Sequence, residues 1–196
     1  DADMAGGPLD PPNRKIDPSD PAFLEVLENA LHRIFSSDEG CYDCDGIKID
    51  YAADKVHPEL PCEDPSWRGE ENYLVHFYGL LRREISRYKT DIQICACAPN
   101  WFLAEFLDTN RTGDVYTDDW REHAMRARVL QVCAPGTVAK FDFSGNTREA
   151  FPDYIDAARR IGATVQFGNV FTMQGNCDVG TGKTTPADFE MLRRHL

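Results

Sequence analysis

The sequence predicts an α/β fold built on a parallel sheet, of the (β/α)8 barrel type. Short apolar segments with strand propensity alternate with longer segments whose apolar residues recur at helical spacing. The strand segments are apolar almost throughout, as expected for strands covered on both faces. Five strand segments in 196 residues are fewer than a barrel of about 250 residues contains. We therefore expect one domain, residues 1–196, that covers roughly strands 4 to 8 of a barrel within a larger protein.

An open, doubly wound sheet is the alternative architecture for the same pattern. Sheets of that kind commonly bind phosphate groups at a Gly-rich turn after the first strand. No such turn follows any strand segment of this chain. The tail sequence GTGKTT is similar to a phosphate loop, but Cys177 stands where its first glycine is required. The pattern therefore favours the barrel.

The first half of the chain predicts two helices and two strands. Residues 1–19 are rich in Pro, Gly and Asp and predict a loop. Asp20 and Pro21 are a capping residue and a first-turn proline, which begin a helix. GIKIDYA predicts a strand that ends near Asp50, and a proline-containing loop separates it from an amphipathic helix over 70–89. DIQICACA predicts the second strand.

The second half continues the alternation of strands and helices. A short helix (WFLAEFLD), a brief strand around Arg111, a helix (DDWREHAMRARVLQV) and a strand (TVAKFDF) are predicted in turn. REAFPDYIDAARRI predicts a helix whose start is interrupted by Pro152, and TVQFGNVF predicts the last strand. A final helix begins at Pro186. Strand and helix segments that alternate in this way are typical of parallel sheets.

The composition argues against several classes of partner. The net charge is −12, from 21 Lys and Arg against 33 Asp and Glu. Nucleic-acid binding depends on neutralising phosphates, which needs a basic stripe that this chain lacks. No apolar run approaches the roughly 20 residues of a membrane-spanning helix. We expect neither nucleic acid nor membrane as a partner. The chain begins Asp-Ala-Asp, which suggests an excised or processed segment, and its localisation and homo-oligomerisation stay open.

Seven cysteines include the pairs Cys41/Cys44 and Cys95/Cys97. A structural zinc site would need a second pair of ligands at suitable spacing, which His57 and Cys62 do not supply. Buried core thiols are the favoured interpretation, and an occasional disulfide is the next. We expect no metal and no cofactor.

The first chemical signal is a charged pair at the end of a strand. Lys48 and Asp50 are two residues apart, so they lie on one face of a strand that is otherwise apolar. Polar residues at the carboxyl end of a barrel strand face the mouth of the barrel, where active sites form. A purely structural ion pair at the end of the barrel explains the two residues equally well.

The second signal is the sequence RTGDV, which contains Arg111 and Asp114. Gly113 permits a sharp turn that presents Asp114 from a loop. The alternative is a polar turn in which Asp118 or Asp119 caps the next helix, and we prefer that role for those two residues. Two carboxylates from different strand ends are what glycoside hydrolysis requires.

Together these motifs resemble those of the retaining α-glycosidases of the melibiase, or α-galactosidase, type (glycoside hydrolase clan D). GIKIDY resembles their nucleophile strand, and RTGDV followed by DW resembles their acid/base segment. The resemblance implies that Asp50 is the nucleophile and Asp114 the acid/base. It implies a carbohydrate substrate, with substrate contacts from Lys48, Arg111, Trp101 and Tyr51. Related α-glucosidases and α-xylosidases share the layout, so the sugar is not specified.

The role of Trp101, which follows a strand end, has two interpretations. Its ring either stacks on a sugar or packs in the core.

Two alternatives to a glycosidase also remain at this stage. In the first, the segment is a non-catalytic carbohydrate-binding half-barrel. In the second, an unrelated α/β enzyme uses Lys48 as a Schiff-base amine, which requires a lysine of lowered pKa in an apolar pocket.

Overall fold

The computed structural model describes residues 17–50, 62–97, 100–112, 120–141, 151–165 and 186–195. The chain divides into two compact units. The first comprises Asp1–Asp45 and Tyr51–Ile92, and the second comprises Gly46–Asp50 and Gln93–Leu196.

The first unit contains two helices that contact one another, α1 (Pro21–Phe35) and α2 (Glu70–Ile85). The predicted start of α1 is confirmed, since the Asp20 carboxylate accepts a hydrogen bond from the Ala22 N–H at 2.8 Å. A capped first turn of this kind satisfies a donor that the helix itself leaves unpaired. The buried apolar side chains of the two helices recur at helical spacing: Leu31, Phe35, Leu74, Tyr78, Leu81 and Ile85.

Helix α2 ends four residues before its predicted end. The Ser86 hydroxyl donates to the Arg82 carbonyl at 2.7 Å, and residues 86–88 form a turn. Lys89, which was predicted to be helical, instead donates to the carbonyl of Asp43 at 2.9 Å and contacts the Asp45 carboxylate at 3.0 Å. These partners are distant in sequence, so the local pattern did not reveal them.

The second unit contains a five-stranded sheet, and the predicted parallel α/β class is confirmed. Each strand pairs in parallel with the next one along the chain, in the order β1-β2-β3-β4-β5. The strands lie where they were predicted, although each is shorter than its apolar segment. They are β1 (Gly46–Ile49), β2 (Gln93–Ala96), β3 (Thr109–Arg111), β4 (Val138–Phe141) and β5 (Thr164–Val165).

The second unit also contains three helices, α3 (Trp120–Cys133), α4 (Phe151–Ile161) and α5 (Pro186–His195). Pro152 lies in the first turn of α4 and does not interrupt it, because a proline there forfeits no helical hydrogen bond. The short helix predicted after β2 is a single 3-10 turn, Trp101–Leu103. The apolar cluster formed by α3, β4 and α4 includes Ala127, Leu130, Ala139, Phe141, Ile155 and Ala158.

The expectation that every strand is covered on both faces is wrong for β1. Its residues alternate between exposed and half-buried, whereas β2 is buried from Ile94 to Ala96. Among the described strands β1 has only one neighbour, which accounts for its exposure.

In the part of the chain that the structure describes, no helix is long and apolar enough to cross a membrane. The same residues hold no group of three or more His, Cys, Asp or Glu arranged to bind a metal ion. The six described cysteines are free thiols. Cys62 and Cys95 are buried as predicted for core residues, but the prediction is wrong for Cys133, which is exposed, and Cys41, Cys44 and Cys97 are only half-buried. Cys177 and the sequence GTGKTT lie outside the described residues.

Candidate active site

The register of the sheet gathers polar side chains on one of its two faces. Lys48 pairs with Cys95, and Cys95 pairs with Thr109. Side chains in such a row point to the same face, and so do those two residues further along each strand. Asp50 and Cys97 follow β1 and β2 directly, one residue beyond the Ile49–Ala96 pair, and Arg111 at the end of β3 pairs with Lys140.

The opposite face of the sheet is mainly apolar, although it also holds the buried Asn110 of β3. It carries Ile94 and Ala96 from β2 and Ala139 and Phe141 from β4, all at most 2% exposed. Ala139 and Phe141 belong to the apolar cluster that contains α3 and α4. Helices α3 and α4 therefore pack against this face at β4.

Asp50 is the centre of the polar group. Its Oδ2 atom lies 3.5 Å from Lys48 Nζ, and its Oδ1 atom lies 4.0 Å from Arg111 Nη2. Partial burial raises the pKa of this carboxyl, but a hydrogen bond with Cys97 and the charges of Lys48 and Arg111 outweigh that effect. The pKa of Asp50 therefore lies below its ordinary value of 3.8. With its side chain 43% exposed, this carboxylate is ionised and accessible.

Cys97 immediately follows β2, and its thiol and the Asp50 carboxyl influence each other's pKa. Burial raises the pKa of the Cys97 thiol to about 12, and the hydrogen bond to Asp50 contributes to the rise. The thiolate is the nucleophilic form of cysteine. A thiol held protonated in this way is a poor nucleophile.

Arg111 enters the site from the end of β3 with a side chain only 6% exposed. The residue after it, Thr112, is fixed at three points. Its N–H donates to the Lys140 carbonyl at 2.9 Å, its carbonyl accepts from Arg126 Nη1 at 3.0 Å, and its hydroxyl shares a 2.6 Å hydrogen bond with His123 Nδ1. Helix α3 therefore holds the backbone just before the segment that contains Asp114.

Lys140 extends the polar row onto β4. Its Nζ atom lies 4.0 Å from the Cys95 Sγ atom, and the Cys95 thiol contacts the carbonyl of Ala96 at 3.6 Å. Cys95 is 7% exposed, whereas Lys140 is half-buried. This third cation stands on the same face as Lys48 and Arg111, one strand beyond Arg111 in the sheet.

The structure brings three of the predicted site residues together: Lys48, Asp50 and Arg111. Trp101 is 57% exposed, so the interpretation that it packs in the core is wrong. Its ring meets Phe102 edge-on, at 6.2 Å between ring centroids. Asp114 and Tyr51 lie outside the described residues.

Sequence reasoning missed Cys97 and Lys140. The argument that singled out Lys48, a charged residue in an apolar strand, applies equally to Lys140 in TVAKFDF. Cys97 was considered only as a core thiol or a metal ligand. Its neighbour Asp50 is 47 positions away in the sequence, and the pairing of β1 with β2 brings the ends of these two strands together.

Comparisons of the chain with protein-family models, with curated proteins and with solved structures found no match.

Proposed function

We propose that this chain is a catalytic segment of a retaining α-glycosidase that hydrolyses terminal α-linked sugars, α-galactosides or similar substrates. Asp50 is the nucleophile and Asp114 the general acid/base. The observation that carries the proposal is the setting of Asp50, an ionised and accessible carboxylate between two cations at the end of a parallel strand. A retaining glycosidase needs a nucleophile of this kind.

The sheet supports a barrel segment as the scaffold. In a (β/α)8 barrel every strand pairs in parallel with its sequence neighbours, and the order never reverses. The five described strands follow that order, whereas a doubly wound sheet reverses at a switch point. In a barrel the helices cover the outside, so the polar face with Lys48 and Asp50 corresponds to the interior. The segment then corresponds to strands 4 to 8, with Asp50 after the fourth.

The reaction proceeds by two displacements at the anomeric carbon. In the first, an Asp50 oxygen bonds to that carbon while the bond to the leaving-group oxygen breaks, and Asp114 gives its proton to the departing oxygen. In the second, a water oxygen attacks the same carbon, the ester bond to Asp50 breaks, and Asp114 takes a proton from the water. Two inversions return the product with the configuration of the substrate.

The neighbours of Asp50 have separate tasks in this scheme. Lys48 and Arg111 stabilise the carboxylate and donate hydrogen bonds to sugar hydroxyls. Tyr51 is a further substrate contact. Trp101 follows β2 with an exposed ring, which is suited to stack on the apolar face of a sugar.

The contacts of Lys48 weigh against the Schiff-base alternative. An amine attacks a carbonyl only in its neutral form, which an apolar pocket favours. Lys48 is instead paired with a carboxylate at 3.5 Å, and its side chain is 30% exposed. These contacts differ from the apolar pocket that a Schiff-base lysine requires.

Covalent trapping tests the assignment of the nucleophile. The full chain is incubated with an α-galactose-configured cyclophellitol epoxide, which esterifies a glycosidase nucleophile, and the labelled peptide is mapped by mass spectrometry. We expect one adduct on Asp50 that Asp50→Asn abolishes and the exposed Asp91→Asn retains. Hydrolysis of 4-nitrophenyl α-galactoside should fall by about 10³-fold or more in Asp50→Asn. Labelling of a different residue, or full activity in Asp50→Asn, would exclude Asp50 as the nucleophile.

A further inference from the structure

We propose that Lys140 binds an anionic group, a carboxylate or a phosphate, on the sugar that the site accepts. This inference rests on the proposed glycosidase function and narrows its substrate class to acidic sugars. Lys140 determines specificity and takes no part in making or breaking bonds.

The strand pairing places Lys140 on the same face of the sheet as Lys48. One row of paired residues consists of Lys48, Cys95, Thr109 and Val138. Lys140 is two residues beyond Val138 on β4, so its side chain points to the same face as this row. Arg111 is its pairing partner on β3, which adds a second cation beside it.

The Lys140 side chain extends across the sheet toward the strand that neighbours β1. Its Nζ atom is 4.0 Å from the Sγ atom of Cys95 on β2, although β3 lies between β4 and β2 in the sheet. Strand β2 also pairs with β1, which Asp50 directly follows. The ammonium group of Lys140 therefore lies one strand away from the strand that leads to Asp50.

The three cations of this face differ in their partners. Lys48 and Arg111 both contact the carboxylate of Asp50, at 3.5 Å and 4.0 Å. Lys140 forms no ion pair with any carboxylate in the described part of the chain, and its Nζ atom contacts the Cys95 thiol, a weak acceptor. One carboxylate thus serves two of the cations, which leaves the charge of Lys140 for a ligand.

A ligand anion suits this half-buried ammonium. Burial of a charge without a counter-ion is unfavourable, and a carboxylate or phosphate removes that cost through charge-assisted hydrogen bonds. Asp50 repels such an anion, but Lys48 and Arg111 offset its charge. The whole chain has a net charge of −12, so a preference for an acidic sugar has to come from this local group of cations.

Calorimetric titration of the full chain with three free sugars tests the proposal. The sugars are galacturonate, galactose 6-phosphate and galactose. We expect at least one of the two acidic sugars to bind about tenfold or more tightly than galactose, and the tighter of the two identifies the anionic group. Lys140→Met should reduce this preference to about twofold or less, whereas Lys140→Arg, which keeps the charge, should retain most of it. Lys89→Met removes a lysine from the first unit and should leave the preference unchanged.

Three results overturn the inference: equal affinities for the three sugars, no binding of any of them, or an acidic preference that persists in Lys140→Met. Binding needs no nucleophile, so an acidic preference that depends on Lys140 supports the anion site even if covalent trapping excludes Asp50. Conversely, an adduct on Asp50 together with equal sugar affinities retains the glycosidase and removes the anion site. In an active protein, the ratio of kcat/KM for 4-nitrophenyl α-galacturonide to that for the α-galactoside should also fall in Lys140→Met.

Discussion

The two faces of the parallel sheet differ in composition although the same strands form both. Ile94, Ala96, Ala139 and Phe141 point to one face, where all four are buried. On the other face Asp50, Lys48 and Arg111 form contacts of 3.5–4.0 Å, and Lys140 lies one strand further on. Because side chains alternate along a strand, neighbouring residues such as Lys140 and Phe141 belong to different faces.

This difference indicates how stability and chemistry are divided in the sheet. The apolar face gains free energy by removing side chains from water, and that gain does not depend on orientation. The polar face instead depends on distances and directions between charged groups, which apolar packing keeps fixed from behind. We therefore expect substitutions on the apolar face to lower stability, and those on the polar face to lower activity.

Phe141→Ala is the variant with the largest expected effect on stability. Phe141 is 0% exposed and its ring lies 5.3 Å from the His123 ring, so truncation leaves a cavity in the apolar cluster. We expect the free energy of unfolding to fall by about 3–5 kcal/mol, as measured by denaturation in urea.

Lys140→Met is the matched control from the other face. It changes the adjacent residue, keeps a side chain of similar length, and should alter the free energy of unfolding by less than about 1 kcal/mol. If Lys140→Met destabilises the protein as much as Phe141→Ala does, the two faces are not divided as described.

Much of the apolar architecture was predictable from the sequence because it depends on local patterns. Asp20 and Pro21 marked the start of α1, and four of the five described strands lie within their predicted apolar segments. The exception is β3, whose residues Thr109–Arg111 are polar and begin one residue before the predicted stretch. Failures occurred where distant residues decide the outcome. The end of α2 is an example, since Lys89 leaves the helix to bind Asp43 and Asp45, more than 40 positions away.

The candidate site was predictable only in part, for the same reason. Lys48 and Asp50 lie on one strand, and a charged pair in an apolar segment is visible in the sequence. The proximity of Asp50 to Cys97 and Arg111 depends on how β1, β2 and β3 pair, which no local pattern encodes. The exposure of Trp101 likewise depends on what surrounds it after folding.

Lys48→Met examines the polar face with a smaller expected effect. Removal of the cation 3.5 Å from Asp50 raises the pKa of that carboxyl and removes a predicted substrate contact. We expect kcat/KM for 4-nitrophenyl α-galactoside to fall by about 10- to 100-fold, with little change in the urea midpoint. Lys89→Met also removes a lysine from an ion pair, but in the first unit, and it should leave kcat/KM unchanged. A similar loss of activity in both variants would contradict a specific role for Lys48.

The smallest effect expected is the pH dependence of stability contributed by Asp50. A carboxyl whose pKa is lower in the folded state adds stability above its unfolded value of 3.8, and this stability is lost as the pH falls through the folded pKa. Asp50→Asn lacks this contribution. The thermal midpoint of the wild type should therefore fall more steeply than that of Asp50→Asn as the pH is lowered below 3.8. Solvent screening keeps the difference small, because the Asp50 side chain is 43% exposed.

Asp17 has a lowered pKa as well, from hydrogen bonds with Ser19 and Glu63 that outweigh its partial burial. The thermal midpoint of Asp17→Asn should therefore also fall less steeply than that of the wild type as the pH is lowered, while the rate of hydrolysis stays unchanged. This control separates the electrostatic contribution of a carboxylate to stability from its role in the reaction. Identical slopes for the wild type and Asp50→Asn would mean that Lys48, Arg111 and Cys97 do not stabilise the charge of Asp50.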